Sequence, residues 1–232
     1  RISRRCLGLY SDENESTIKH VVDFCRRHGV ANLGIQLAHA GRKGSAHTPF
    51  EGGKALAPDE GTWTTVAPSA LPYGPGWHMP QALTKEGMRE VKQQFVDAAR
   101  RAERIGFDLV ELHAAHGYLL HEFLSPISNQ RADEYGGSLE NRMRFPLEVF
   151  RAMRAVWPSD RPTSVRISAH DWAPGGNTGD DAVRIAALFK EAGADLIDVS
   201  AGQVIKDERP VFGRMWQTPF ADRVRQEAGI AT

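Results

Sequence analysis

The sequence predicts an α/β fold, a sheet or barrel of parallel strands joined by helices. Three observations carry this. A helix-like stretch that stops at glycine and runs into a short apolar segment occurs four times. The apolar segments have the composition of strands buried on both faces. Each strand's last residues are polar, charged or small, as expected of strands that carry a site at their carboxyl ends. Alternation of this kind implies right-handed crossovers between parallel strands.

In chain order, "CRRHGVANLGIQL" ends a helix of residues 15–27 at Gly29 and opens a strand of residues 33–37. Residues 39–82 follow, rich in Gly and Pro and without periodicity; ordered loops of that length are usually functional. A helix of residues 85–105 stops at Gly106, and "GFDLVEL" is the next strand. It exits into "HAAHGY", residues 113–118, and a second long connection fills residues 114–137. A helix of residues 139–156 stops at Trp157-Pro158 before the strand "PTSVRIS", residues 162–168. Helix 180–191 turns at Gly193 into "LIDVS", and helix 219–227 turns at Gly229 into the start of a fifth strand. At all four glycines a left-handed helix end is expected, because glycine adopts it without penalty. A closed eight-stranded barrel takes about 250 residues, so about three of its strands would lie outside this sequence. Residues 1–232 read as one incomplete domain, with no second domain and no low-complexity segment.

Composition excludes several classes. With 29 basic and 29 acidic side chains among 232 residues, nothing concentrates a field toward nucleic acid or a membrane surface. No apolar run approaches the ~18 residues of a membrane-crossing helix. Two cysteines, Cys6 and Cys25, cannot build a disulfide framework and fit a reducing compartment.

Reading the strand ends gives Gln36 and "AHAGRKGS" on the first, "HAAHGY" on the second, Arg166 and "AHDW" on the third, and Ser200-Ala201-Gly202 on the fourth. "HAAHGY" has three readings. With Glu111, His121 and Glu122 it could supply zinc ligands, although a zincin pattern needs both histidines on one helix and a glutamate after the first. The histidines could instead be satisfied core groups, or proton donors aimed at a substrate, and the last is preferred. Gln36 alone reads as a core amide and Arg166 alone as half of an ion pair. Together they match an imide edge beside developing negative charge, which is what a flavin ring presents. "AHAGRKGS" also looks like a solvated basic loop, so His39, Arg42 and Lys43 are read as structural. Rossmann, Walker and nucleophile-elbow patterns are absent.

These residues resemble the old yellow enzyme flavoproteins, and in particular their bacterial branch that includes the xenobiotic reductases. The resemblance runs through "CLGLYSDE", "GIQLAHAGRK", "ELHAAHGYLLHEFLSPISNQRADEYGGSLENRMRF", "VRIS" and "IDVSAG". It implies a (β/α)8 TIM barrel, of which this chain supplies about strands 3 to 6 and the start of 7. It further implies FMN as cofactor and NADPH or NADH as reductant in an ene reductase of the NADPH dehydrogenase type. Gln36 and Arg166 would hold the flavin pyrimidine edge. His113 and His116 would donate to the carbonyl oxygen of an enone or enal, and Tyr118 would be the proton donor. The family's first strands would precede Arg1 and its phosphate-binding strands would follow Thr232. Arg131, Asp133 and Arg142 are expected to pin the second long loop by ion pairs. The expected location is the cytoplasm, and the expected partners are small molecules, with a homo-oligomer left open. Two alternatives remain, the reductase domain of a bifunctional aromatic acyl-CoA hydroxylase/reductase and a non-catalytic barrel remnant. No metal is expected.

Overall fold

The computed structural model describes all 232 residues. Helix α1 (Asp12–His28) starts at Ser11, whose hydroxyl accepts from the Asn14 N–H, and Asp12, Glu13 and Glu15 lie in its electropositive first turn. Strand β1 (Gly34–Leu37) follows. The first long connection folds into short 3₁₀ turns and a small parallel ladder of β2 (Val66–Ala67) with β3 (Gln81–Ala82). Helix α2 (Lys85–Ile105), capped by Thr84, ends at Gly106 with φ 99°. Strand β4 (Leu109–Ala114) leads into the short helix α3 (Leu119–Leu124). Then come α4 (Leu139–Arg154), β5 (Thr163–Ser168), α5 (Gly179–Glu191), β6 (Leu196–Ser200) and α6 (Thr218–Arg223).

Strands β1, β4, β5 and β6 form one four-stranded parallel sheet in that order. A fifth strand begins at Ala231, whose carbonyl accepts from the Ile197 N–H at 2.9 Å in a parallel bridge beside β6. This is the predicted parallel α/β arrangement, with each crossover helix laid on one face of the sheet. Leu112, Val165 and Ile197, in register with Leu37, meet Phe150, Phe189 and Phe95 from the helices in a cluster of 38 buried residues.

The structure corrects expectations about the strands, Gly29 and the last helix. The strands are not apolar on both faces. The face away from the helices carries Gln36, Glu111, His113, Ser164, Arg166, Ser168, Asp198 and Ser200, because side-chain pairs satisfy one another there. Gly29 is extended, φ −138° and ψ 169°, since the chain leaves α1 straight toward β1; Gly106, Gly193 and Gly229 are left-handed as expected. The last helix is α-helical only to Arg223 and closes with a wider π turn over Val224–Ala228.

The long connections are held by guanidinium groups that meet backbone carbonyls which would otherwise be orphaned. Arg131 pairs with Asp133 at 2.6 Å and also donates to the carbonyls of Pro68 and Leu83, at 3.0 and 2.6 Å. Arg142, expected to form an ion pair, instead donates to the carbonyls of Leu124 and Gly137. It is buried where loop carbonyls, not carboxylates, need donors.

Candidate active site

Parallel register stacks the polar residues in rows toward the carboxyl ends of the strands. Gln36, Glu111 and Ser164 share one row, His113, Arg166 and Asp198 the next, and Ser168 and Ser200 the last. Gln36 Nε2 donates to Glu111 Oε1 at 2.7 Å, and Ser164 Oγ donates to Glu111 Oε2 at 2.6 Å. A carboxylate only accepts, so Glu111 takes the amide nitrogen and leaves the Gln36 oxygen as the acceptor. Arg166 is half of an ion pair, its Nε 3.3 Å from Asp198 Oδ2, yet that nitrogen has no partner in hydrogen-bond geometry. Burial raises the Asp198 carboxyl even against the pull of Arg166.

Beyond β4 the backbone turns through two consecutive left-handed residues, His116 at φ 57° and Gly117 at φ 69°. A Cβ on Gly117 would collide with the Gln203 carbonyl oxygen, so only glycine fits. The turn folds His116 and Tyr118 back over His113, with ring centroids 5.1 and 5.2 Å from it. His113 is 4% exposed, and neither of its ring nitrogens has a partner. Buried polar groups without partners are rare and call for a ligand or ordered water. His116 Nε2 lies 2.6 Å from Ser200 Oγ, and Ser200 Oγ accepts from Gln217 Nε2 at 3.1 Å.

Desolvation sets the charge states. Burial, reinforced by His116 and Arg166, lowers His113 to about 3, and burial with Arg166 lowers His116 to about 4. Both rings are neutral at pH 7, each with one N–H to give. Burial raises Tyr118, which keeps its phenolic proton.

"AHAGRKGS" is not a solvated loop. Arg42 is 2% exposed and donates to the carbonyls of Leu71, Pro72 and Val204. Lys43 Nζ donates to the His116 carbonyl at 2.8 Å and sits over the rings of Tyr73 and Tyr118, while burial lowers it to about 8. His39 Nδ1 accepts from the Gly41 N–H. A cavity of ≈ 340 Å³ opens beside this cluster, lined by Lys43, Tyr73, Trp77, Tyr118 and Lys206 among others. Nothing here matches the zinc reading. His121 bonds to Asp171 and Glu122 accepts from the Arg42 N–H, and no three His, Cys, Asp or Glu side chains converge on one point.

Residues 1–229 match the NADH:flavin oxidoreductase / NADH oxidase family. The chain belongs to this family. Among curated relatives in the family it is 47% identical over all 232 residues to an NADPH dehydrogenase of Geobacillus sp. (strain WCH70), and 47% identical to one from Listeria innocua. The chain spans 63% of the length of each of these. It superposes on 2-naphthoyl-CoA reductase, solved with 2-naphthoyl-CoA, with a TM-score of 0.79 at 30% identity, covering 96% of this chain and 34% of that one. Morphinone reductase, solved with tetrahydroNAD, gives 0.72 at 29% identity, over 95% of this chain and 59% of that one. The four parallel strands are therefore part of the family's barrel.

Of the residues singled out in the sequence, the structure gathers His113, His116 and Tyr118 into one cluster and places Gln36 and Arg166 on the same face, one row apart across β4. Sequence reasoning missed Glu111 and Asp198 as the partners that orient this pair. Polar positions two residues apart along each strand, as in Glu111 and His113 or Asp198 and Ser200, were the available signal. The same reasoning read Lys43 as structural without finding its partner, the His116 carbonyl, which lies far away in the chain.

Proposed function

We propose that this chain is part of a single barrel domain that works as an FMN-dependent NAD(P)H oxidoreductase reducing activated C=C bonds of enones and enals. The observation that carries the reading is the buried His113 ring with two unpartnered nitrogens, packed between His116 and Tyr118. The residues present fit a flavin. The Gln36 amide oxygen offers an acceptor to an imide N–H, and the unpartnered Arg166 Nε offers positive charge to its electron-rich edge. When bound, FMN supplies hydride chemistry between the nicotinamide and the acceptor.

The protein's own groups then have separate tasks. His113 and His116, neutral because they are buried, donate to the substrate's carbonyl oxygen and favour the charge that grows there. For His116 this requires Ser200 to donate to Nε2, leaving the ring proton on Nδ1. Tyr118, still protonated at neutral pH, gives its proton to the α-carbon. Lys43 holds the His116 carbonyl and so the turn between the two donors. Tyr73 and Trp77 supply apolar wall to the adjoining cavity. A second reading, an aromatic acyl-CoA thioester as substrate, draws support from the superposition on 2-naphthoyl-CoA reductase and from Lys43 and Lys206 at that cavity.

The test uses the full-length protein loaded with FMN. Anaerobic NADPH should bleach its visible band and 2-cyclohexenone should restore it. A protein that takes up no FMN, or whose reduced flavin no enone reoxidises, would refute the reading.

A further inference from the structure

We propose that His121, backed by Asp171 and Ser125, is a positioning residue whose imidazole fixes the left-handed His116–Gly117 turn and so sets where His116 and Tyr118 meet the substrate. The inference rests on the function proposed above. None of the three side chains lines the cavity, and all three residues are fully buried.

The bonding leaves each atom one role. The Gly117 N–H donates to His121 Nδ1 at 2.8 Å, so that nitrogen bears no proton and the ring hydrogen is on Nε2. Nε2 donates to Asp171 Oδ1 at 2.9 Å. Asp171 Oδ2 in turn accepts from Ser125 Oγ at 2.6 Å and from the Asn177 N–H at 2.8 Å. With N–H and O–H donors on both of its oxygens, Asp171 remains an acceptor. The trio is drawn from α3 with its C-terminal cap and from the connection after β5, which ties the turn to two separate parts of the fold.

The turn needs such support. A histidine at φ 57° is strained, and strained residues persist only where their surroundings over-determine them. Other restraints grip His116, through its N–H on Ser168 Oγ and its carbonyl on Lys43, and the Tyr118 N–H closes the turn on the Ala115 carbonyl at 3.2 Å. His121 grips the Gly117 N–H, and the Gly117 peptide sets the direction in which Tyr118 leaves. An apolar side chain of similar volume would fill this buried position about as well as an imidazole–carboxylate pair. What it could not supply is the acceptor for Gly117.

The experiment compares His121→Phe, which keeps a ring but removes the acceptor, with His121→Gln, which restores an acceptor for Gly117 and a donor for Asp171. Both are made in the full-length, FMN-loaded protein. The first readout is independent of activity. The Gly117 amide should exchange slowly in wild type and H121Q and fast in H121F, and the His121 ring ¹⁵N shifts in wild type should report the Nε2–H tautomer. The second readout separates the half-reactions. Oxidation by 2-cyclohexenone should slow about 100-fold in H121F, the cost of a ~1 Å misplacement, with reduction by NADPH near wild type and H121Q largely rescued. Equal behaviour of H121F and H121Q, or loss of both half-reactions in step with thermal stability, would make His121 a structural filler and overturn the proposal. If H121F does not fold, Ser125→Ala should show the same pattern in smaller measure, and an unchanged Gly117 exchange rate there would overturn it too. A wild type that never reduces an enone refutes the enone reading alone, since the exchange and tautomer results still decide the positioning role.

Discussion

Among single residues, His113 offers the clearest test. Replacing it with alanine in the full-length protein removes one of two neutral donors, and by analogy with oxyanion-hole donors should lower kcat for enone reduction by ~10²-fold. FMN content should not change, because Gln36 and Arg166 remain; steady-state assay and flavin release measure both. Tyr118→Phe keeps the ring and removes the proton, so the oxidative half-reaction should slow by ~10²-fold or more while reduction by NADPH keeps its rate. Stopped-flow absorbance resolves the two, and equal slowing would remove Tyr118 as the acid. These residues were legible because they are polar groups at the end of an apolar strand. Lys43 and Ser200 were not legible as partners of His116, since they lie 73 and 84 positions from it and nothing local marks the pairing.

Where helices and strands join, glycines separate backbone cost from crowding. Gly106 closes α2 at φ 99° with nothing within 4 Å of the place a Cβ would take, so Gly106→Ala should cost only the left-handed strain, about 1 kcal/mol in thermal unfolding. Gly117→Ala runs into the Gln203 carbonyl, so the turn must move and activity should fall far more than stability. The helices and strands were readable from period and punctuation, and α2 was predicted residue for residue. The polar inner face was not, because "LVEL" and "LIDVS" read as apolar runs until the register shows that Glu111 and Asp198 share a side. Helix α3 was hidden inside a stretch read as loop, its apolar residues being too few to show a helical period.

Acid sensitivity belongs to the whole molecule. His113 and His116 bind protons more weakly folded than unfolded, with values of about 3 and about 4 against 6.5. Their neutral burial therefore costs nothing above pH 6.5, and stability is lost as pH falls from there through 4 toward 3. Urea midpoints should drop steadily as the pH is lowered from 6.5 to 4, and His113→Ala should flatten that slope. A parallel α/β sheet or barrel was legible from alternation, whereas the choice of a barrel and the part of it supplied here came from the family resemblance, in keeping with relatives of which this chain spans 63%. The functional reading stands or falls on His113 and His116 presenting donors to an oxygen held over FMN. Titration of the flavin-loaded, full-length protein with a para-substituted phenol probes this without turnover, through the long-wavelength absorbance of a phenolate stacked on the flavin. That band should appear in wild type and vanish in His113→Ala with FMN still bound; a band of equal strength in both proteins would show that His113 does not hold the oxygen.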